Sequence, residues 1–446
     1  VPSVPDPSTD RSEFARVWAL AWPLILSNLT VPLVGAVDMA VIGHLDDPAF
    51  IGGVALGTLL FNYVYWGFGF LRMGTTGLAA QAHGAGAEDE VRAVLARALI
   101  LAAIFGALIA LLRAPIAEAA FTILDGSDAV HGHAGDYFVI RALAAPIALA
   151  NTALLGWFLG LQNARYGLIQ QVVINGVNAG LDIWLVFGLG MDVEGVAWAA
   201  VIGQAVGLGV GLVLVRRLLR RTGGRFVRGR ILDISRIRAM MAVNRDIFLR
   251  TVCLLTGTAF FMDRSASLGE VALAANAVLM IFQMLSAFAM DGFAHATEAI
   301  VGKAIGERDR RRLDAVVRAG TLCAALVAVV FSLLFALFGG LLIDALTGIE
   351  SVRAAAGSHM IWAALLPVIS IWAFQLDGIF IGATRTAEMR NAMIVSLAAF
   401  VAVGLPLTAS FGNHGLWAAY TAFMAARALS LWFYFPRVRA QAEPGA

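Results

Sequence analysis

Charge is scarce in this chain. Only 14% of its 446 residues are Asp, Glu, Lys or Arg, against about 25% in soluble globular proteins. That is too little charge to coat a soluble surface of this size. Cysteine is scarcer still. Cys253 and Cys323 both lie in apolar runs; they read as small buried hydrophobes and imply no disulfide framework. Catalytic signatures are missing too. Without a Gly-x-x-x-x-Gly-Lys-Ser/Thr loop, nothing points to direct nucleotide hydrolysis. Without His-Glu-x-x-His or Gly-x-Ser-x-Gly, neither a catalytic zinc nor a serine nucleophile is indicated. The chain reads as a non-enzyme that needs no cofactor, and any work it does would draw on an ion gradient.

Apolar sequence is what the chain has in abundance: 60% of residues are hydrophobic. They fall in blocks of membrane-spanning length, about 20 residues each. Twelve blocks are expected, near 16–42, 50–80, 91–112, 131–160, 165–190, 193–216, 237–262, 268–300, 314–340, 352–382, 387–410 and 414–436. The fold class expected is therefore an all-α polytopic membrane protein. The short segment Val1 to Asp10 is polar and Pro-rich without a basic-then-apolar pattern, and is expected to be a tail. Loop charges alternate. About 25 of the 32 Lys and Arg fall on one side, most densely between Arg216 and Arg238, which places both termini in the cytoplasm by the positive-inside rule. The basic loops are thus a matter of topology and imply no nucleic-acid partner. A cell membrane, the bacterial inner membrane, is the expected location.

The chain also repeats itself at an offset of roughly 220 residues. Asp38, a short loop, Val54-Ala-Leu-Gly57 and Ala82-His-Gly-Ala-Gly86 are echoed by Asp263, a short loop, Val271-Ala-Leu-Ala-Ala-Asn276 and Gly302-Lys-Ala-Ile-Gly306. Gly195-Val-Ala-Trp is echoed by Gly415-Leu-Trp-Ala. The organisation expected is a cytoplasmic tail over 1–15, a six-helix lobe over 16–216, an Arg-rich inter-lobe loop over 217–236, a second six-helix lobe over 237–436 and a tail over 437–446. Six spans per half make the halves parallel repeats, as in some secondary transporters.

With this frame the residues resemble a known family. Pro23, Ser27-Asn-Leu-Thr-Val-Pro32 and Val37-Asp-Met-Ala-Val-Ile-Gly-His-Leu45 look like the first helix of the multidrug and toxic compound extrusion (MATE) transporters, and the Gly-His-Leu ending points to the DinF-type branch. Gln170 to Gly190, with Asn175, Asn178 and Asp182, followed by Gly195-Val-Ala-Trp-Ala, resembles the family's fifth and sixth helices. The resemblance spans nearly the whole chain. It implies a V-shaped two-lobe fold and export of organic, often cationic or amphipathic compounds against entry of protons or sodium ions. In the DinF-type branch the coupling centre lies in the N-terminal lobe. The first-helix carboxylate carries over to Asp38 and the fifth-helix polar pair to Asn178 and Asp182. The position opposite Asp182 in the second half is Val403, so that lobe does not copy the pair.

The residues support this independently. A carboxylate within a spanning helix costs roughly 3 kcal/mol or more at mid-bilayer and by default marks a proton or ion path. Asp38 lies roughly 33 Å along its helix from the inner end and Asp182 roughly 26 Å along its own, so both are expected in the outer half. Two carboxylates close together in low dielectric do not both stay ionised, so the pair can hold a proton, or a sodium ion in its place. Asn178 precedes Asp182 by one turn and can orient it. Pro23 and Pro32 each remove a backbone donor and favour bending of the first helix. Asn62, Asn151, Asn175, Tyr63, Gln283, Met284 and Asp377 are candidate cavity residues; Asp377 either contacts a cationic substrate or binds Gln375 and backbone. Arg72 and Asp291 either gate the cytoplasmic side as a pair or lie apart, Arg72 at lipid headgroups and Asp291 with His295. Arg141 is satisfied either by Asp136 or by lying near Asp38. The function expected is proton-coupled (or sodium-coupled) multidrug efflux by a monomer in the lipid bilayer. The alternative is a flippase for a lipid-linked or polyanionic substrate of the same wider superfamily.

Overall fold

The computed structural model describes residues 7–45 and 47–443. The first six residues of the expected N-terminal tail, Asp46 in the first outer loop and the last three residues of the C-terminal tail lie outside the described residues. The described chain is helical and contains no strand. Its elements are α1 (Pro7–Ile42), α2 (Pro48–Gly67), α3 (Phe70–Gly84), α4 (Glu88–Leu111), α5 (Arg113–Phe121), α6 (Asp128–Leu143), α7 (Ala145–Gly160), α8 (Ala164–Ile183), a π-helical turn (Trp184–Gly188), α9 (Val193–Leu219), α10 (Arg228–Ile231), α11 (Ile234–Ser267), α12 (Glu270–Gly306), α13 (Arg310–Leu346), α14 (Glu350–Gly382) and α15 (Thr386–Gln441).

Among the described residues, nine helices are long and apolar enough to cross a membrane, and the pair α6–α7, bent by 58°, makes ten. Helix α11 is the eleventh. Arg236, Arg238, Arg245, Asp246 and Arg250 crowd its first half, which keeps it below the apolarity of the others. Helix α15 supplies two, because its backbone leaves helical geometry at Gly412 (φ 56°, ψ −135°), a conformation open to glycine. Twelve spans result. Their lipid-facing sides are legible as stripes. On α13, Leu326, Val330, Leu333, Leu337 and Leu341 are exposed while Ala324, Ala328, Phe335, Gly339 and Ile343 on other faces are buried. That is the reverse of a soluble amphipathic helix, with apolar side chains turned outward to lipid.

The chain falls into two compact units, Leu26–Met241 and Val1–Ile25 with Ala242–Ala446. We call them the N-unit and C-unit. The C-unit packs around Phe261, Phe282, Phe335, Phe400, Trp417 and Phe423. The N-unit has one cluster around Trp157, Phe158, Leu95 and Leu214 and another around Val41, Ile42, Val54, Tyr137 and Val196. Since lipid tails are as apolar as leucine, close packing rather than exclusion of water holds such helices together, and small residues let backbones approach. The repeat is visible in these approaches. In the N-unit a Cβ on Gly156 would overlap the Arg72 carbonyl, and one on Gly160 would press on the Thr76 carbonyl. In the C-unit Gly378 meets the Ala294 carbonyl and Gly382 the Glu298 carbonyl. Each pair is shifted by 222 residues (156 to 378, 72 to 294, 160 to 382, 76 to 298). The shift places Ala294, not Asp291, opposite Arg72. Both Arg72 and Asp291 are half-buried, one in each unit.

The Arg-rich segment after α9 is docked within the N-unit. Arg92 on α4 donates to the carbonyls of Leu219 (2.7 Å), Gly223 (3.0 Å) and Thr222 (3.1 Å), closing the end of α9. The Arg225 N–H donates to Asp89 (2.7 Å), and Arg236 pairs with Glu90 (3.1 Å), which also holds the buried Arg97. Asp233 starts α11 by accepting from the Ser235 hydroxyl (2.6 Å) and from the N–H groups of Ser235 (2.9 Å) and Arg236 (3.4 Å). The Ser235 hydroxyl, and then the Arg236 N–H, hold its carboxyl below the usual carboxylate range.

Two outcomes follow from this packing. Gly156→Leu and Gly378→Leu should each destabilise the protein by about 2 kcal/mol or more through backbone displacement, seen as a lower melting temperature in detergent, with the alanine variants less affected. Asp233→Ala should speed amide exchange over the first turn of α11. Because the folded carboxyl titrates below its unfolded value of 3.8, wild-type protection is present at neutral pH and lost only as pH falls through the folded value.

Candidate functional site: a buried carboxyl pair and an amide stripe

Helix α8 begins at Asn163, whose side chain accepts from the Tyr166 N–H. It then presents Gln171, Asn175, Asn178 and Asp182 at spacings of three and four, which puts them on one face. Asn178 and Asp182 are buried, Asp182 completely. Gly203 on α9 makes this possible. A Cβ there would press on the Ile174 carbonyl and lie 3.3 Å from the Asn178 Cβ. The π-helical turn Trp184–Gly188 begins two residues after Asp182; such turns recur at functional sites.

Asp38, buried on α1, lies with its carboxyl within hydrogen-bonding reach of Asp182. The Asn178 amide donates to Asp182 Oδ2 at 3.2 Å. Asp38 Oδ1 and Asp182 Oδ1 are buried and accept from no donor among the described residues. A hydrogen bond between two carboxyl groups requires a proton on one of them. The pair is thus arranged to hold a proton, and its unsatisfied oxygens could alternatively face a cation. Val41, Ile42, Val54 and Val196 wall the neighbourhood with apolar side chains.

Arg141 completes the site, and sequence reasoning had left its place open. Its guanidinium donates to the Tyr137 hydroxyl (2.8 Å) and stacks 3.6 Å from the centroid of the Phe61 ring. Its charge acts on both Asp38 and Asp182. Tyr137 is fully buried and also bonded by Thr58 (3.1 Å). Tyr137 and Phe61 went unnoticed in the sequence, where an aromatic in an apolar run carries no mark of its partner.

A second polar feature adjoins the first through Phe61. A cavity of about 120 Å³ in the N-unit is lined by Tyr65, Asn151, Thr152, Gln170, Gln171 and Gln204 among others. Asn151 donates to Gln204 Oε1 (2.7 Å) and accepts from Gln170 (2.8 Å). Gln171 donates to Asn175 (3.0 Å), which donates to Thr30 on α1 (2.7 Å). The amide stripe of α8 is therefore tied to α1 midway between Pro23 and Asp38. Of the expected cavity residues, Asn151 lines this cavity and Asn175 borders it; Asn62 and Tyr63 are exposed and do not line it. Gln283 is buried in the C-unit, where Met284 is exposed. Asp377 does not bind Gln375. It takes two arginines, Arg250 and Arg427, while Gln375 donates to Thr297 (2.7 Å). Pro23 and Pro32 lie in α1 without interrupting it.

Residues 23–184 and 247–409 match the MatE family. The chain is 46% identical over 418 residues to DNA damage-inducible protein F of Escherichia coli K12, covering 93% of this chain and 90% of that protein. It is 25% identical over 406 residues to a probable multidrug resistance protein NorM of Thermotoga maritima, covering 87% and 83%. Among solved structures, a MATE crystal structure in the bent conformation shares the fold with a TM-score of 0.86 at 19% identity, covering 97% of each chain. A MOP superfamily transporter from Pyrococcus furiosus does so with a TM-score of 0.84 at 20% identity, also covering 97% of each. The chain belongs to the MatE family of multidrug and toxic compound efflux transporters, multi-pass membrane proteins that carry small molecules and are not enzymes.

Proposed function

We propose that this chain exports organic, often cationic or amphipathic compounds in exchange for protons by alternating access, with Asp38 and Asp182 as the coupling centre. The observation that carries this reading is the pair of buried carboxyl groups within hydrogen-bonding reach of one another. Inside a membrane helix bundle such groups are expensive to keep and are retained for transport chemistry. Protons are favoured over sodium by the contact between the two carboxyl groups themselves, which needs a proton on one of them. Both ions compete for the same oxygens, so sodium remains the alternative.

In the cycle, binding of a proton removes negative charge from the Asp38–Asp182 pair. Arg141 then loses its electrostatic hold on the pair, and α1 is released to move. The missing backbone donors at Pro23 and Pro32 make bending there inexpensive. Because Thr30 is bonded to Asn175, a bend in α1 would disturb the amide stripe that borders the cavity, and with it the surface offered to a substrate. Tyr65 and Phe61 add flat aromatic surface beside neutral amides, which suits amphipathic ring compounds. The reading places both termini in the cytoplasm of a bacterial inner-membrane protein that works as a monomer.

Proteoliposomes with proton and sodium gradients imposed separately test this. Efflux of a fluorescent organic cation should follow the proton gradient alone. Asp38→Asn and Asp182→Asn should reduce gradient-driven efflux to the level of empty vesicles, while gradient-independent exchange of substrate persists. Undiminished proton-driven efflux by Asp38→Asn would sink the proposal.

A further inference from the structure

One buried cluster in the C-unit gathers two positive charges around a single negative one. Arg250 on α11 and Arg427 on the second half of α15 converge on Asp377 of α14; the Nη2 of each donates to Asp377 Oδ2, that of Arg427 at 2.7 Å. The side chain of Arg427 is 3% exposed, that of Asp377 9% and that of Arg250 10%. The groups acting on Arg427 are Asp377, Arg250 and the Tyr420 hydroxyl. Two guanidinium ions thus share one carboxylate, and one positive charge is left over. Buried charges are ordinarily paired, and in a spanning segment an unpaired one is especially costly.

The donors are left over as well. Arg427 Nη1 points at the sulfur of Met424 (3.1 Å), a weak acceptor. The Nε groups of Arg250 and Arg427 are both buried without an acceptor. In a guanidinium, Nε and Nη2 share the edge that grips a carboxylate with two parallel bonds. Here Asp377 Oδ2 occupies only the Nη2 half of that edge on each arginine. Phe423 lies under Arg427, its ring centroid 5.7 Å from the guanidinium carbon, and helps to keep water from that face.

We infer that Arg250 and Arg427 form a binding site for one small singly charged anion, either a halide or the carboxylate group of a transported compound, with Asp377 holding the two guanidinium groups in place. The anion would balance the surplus charge and accept from the Nε donors that the protein leaves unused. The site concerns the unit that lacks Asp38 and Asp182, so it stands or falls separately from proton coupling.

The test uses the purified full chain in detergent at constant ionic strength. Binding of radiolabelled chloride is measured by equilibrium dialysis, and the melting temperature is followed as bromide replaces gluconate. Saturable binding of one chloride per chain is expected, with a saturable rise in melting temperature. Arg427→Gln leaves a neutral Arg250–Asp377 pair and should lose both effects, as should Arg250→Gln. Asp377→Asn adds to the surplus charge and should tighten chloride binding. Benzoate should displace chloride. If Arg427→Gln impairs transport of a carboxylate-bearing dye but not of a neutral one, the source is the substrate; if it impairs neither, the source is free halide. Absence of saturable chloride binding in the wild type, or equal binding in Arg427→Gln, would overturn the inference.

Discussion

Inside a bilayer, a polar or charged group finds its partner within the protein or goes without one. This constraint orders the rest of the structure. The backbone meets it by becoming helix almost everywhere. Side chains meet it by clustering. Asn151, Gln170 and Gln204 satisfy one another across three helices, and Asn276 joins Ser265, Asn413 and Trp417 in the C-unit. Other buried groups go without a partner among the described residues. The Oδ1 atoms of Asp38 and Asp182, and the Nε groups of Arg250 and Arg427, are buried and unsatisfied. In the proposed cycle the first set takes a proton, and at the proposed anion site the second takes an anion.

The two units are therefore alike in backbone and unlike in charge. The helix contacts at Gly156 and Gly160 recur at Gly378 and Gly382 against carbonyls displaced by the same 222 residues (156 to 378, 160 to 382). Such contacts fix how closely two backbones approach. They do not dictate what the surrounding side chains carry. The N-unit places two acids, Asp38 and Asp182, near one partly exposed arginine, Arg141, and a neutral amide stripe. The C-unit has, in one buried cluster, two arginines around a single acid, Asp377. Unequal interiors on a duplicated scaffold would confine the proposed ion coupling to one half.

The connection between the halves illustrates how charge pairing escapes a reading along the chain. Nine exposed arginines between Arg216 and Arg238 read along the chain as an Arg-rich loop without partners. In the fold, Arg236 meets Glu90, and Arg92 reaches across from α4 to close the end of α9. The acids that answer them, Asp89 and Glu90, are more than a hundred residues away, so pairing of this kind leaves no local pattern. Arg250 and Arg427 were hidden in the same way. Nothing in either run points to the other, and only Asp377 marked the place.

By itself the sequence determined the class of fold, the twelve spans, the duplication, the family resemblance and the coupling candidates Asp38, Asn178 and Asp182. These rest on signals that are local or periodic: the length of apolar runs, the cost of an acid within them, and a repeated order of short motifs. Only the tertiary structure decided which groups face one another. It brought Asp38 to Asp182, set Arg141 on Phe61 and Tyr137, tied Thr30 to Asn175 and gave Asp377 two arginines instead of Gln375. The physical reason is distance. Hydrogen bonds and ion pairs act over a few ångströms between atoms that lie tens to hundreds of residues apart in the chain, and those separations close only when the helices pack.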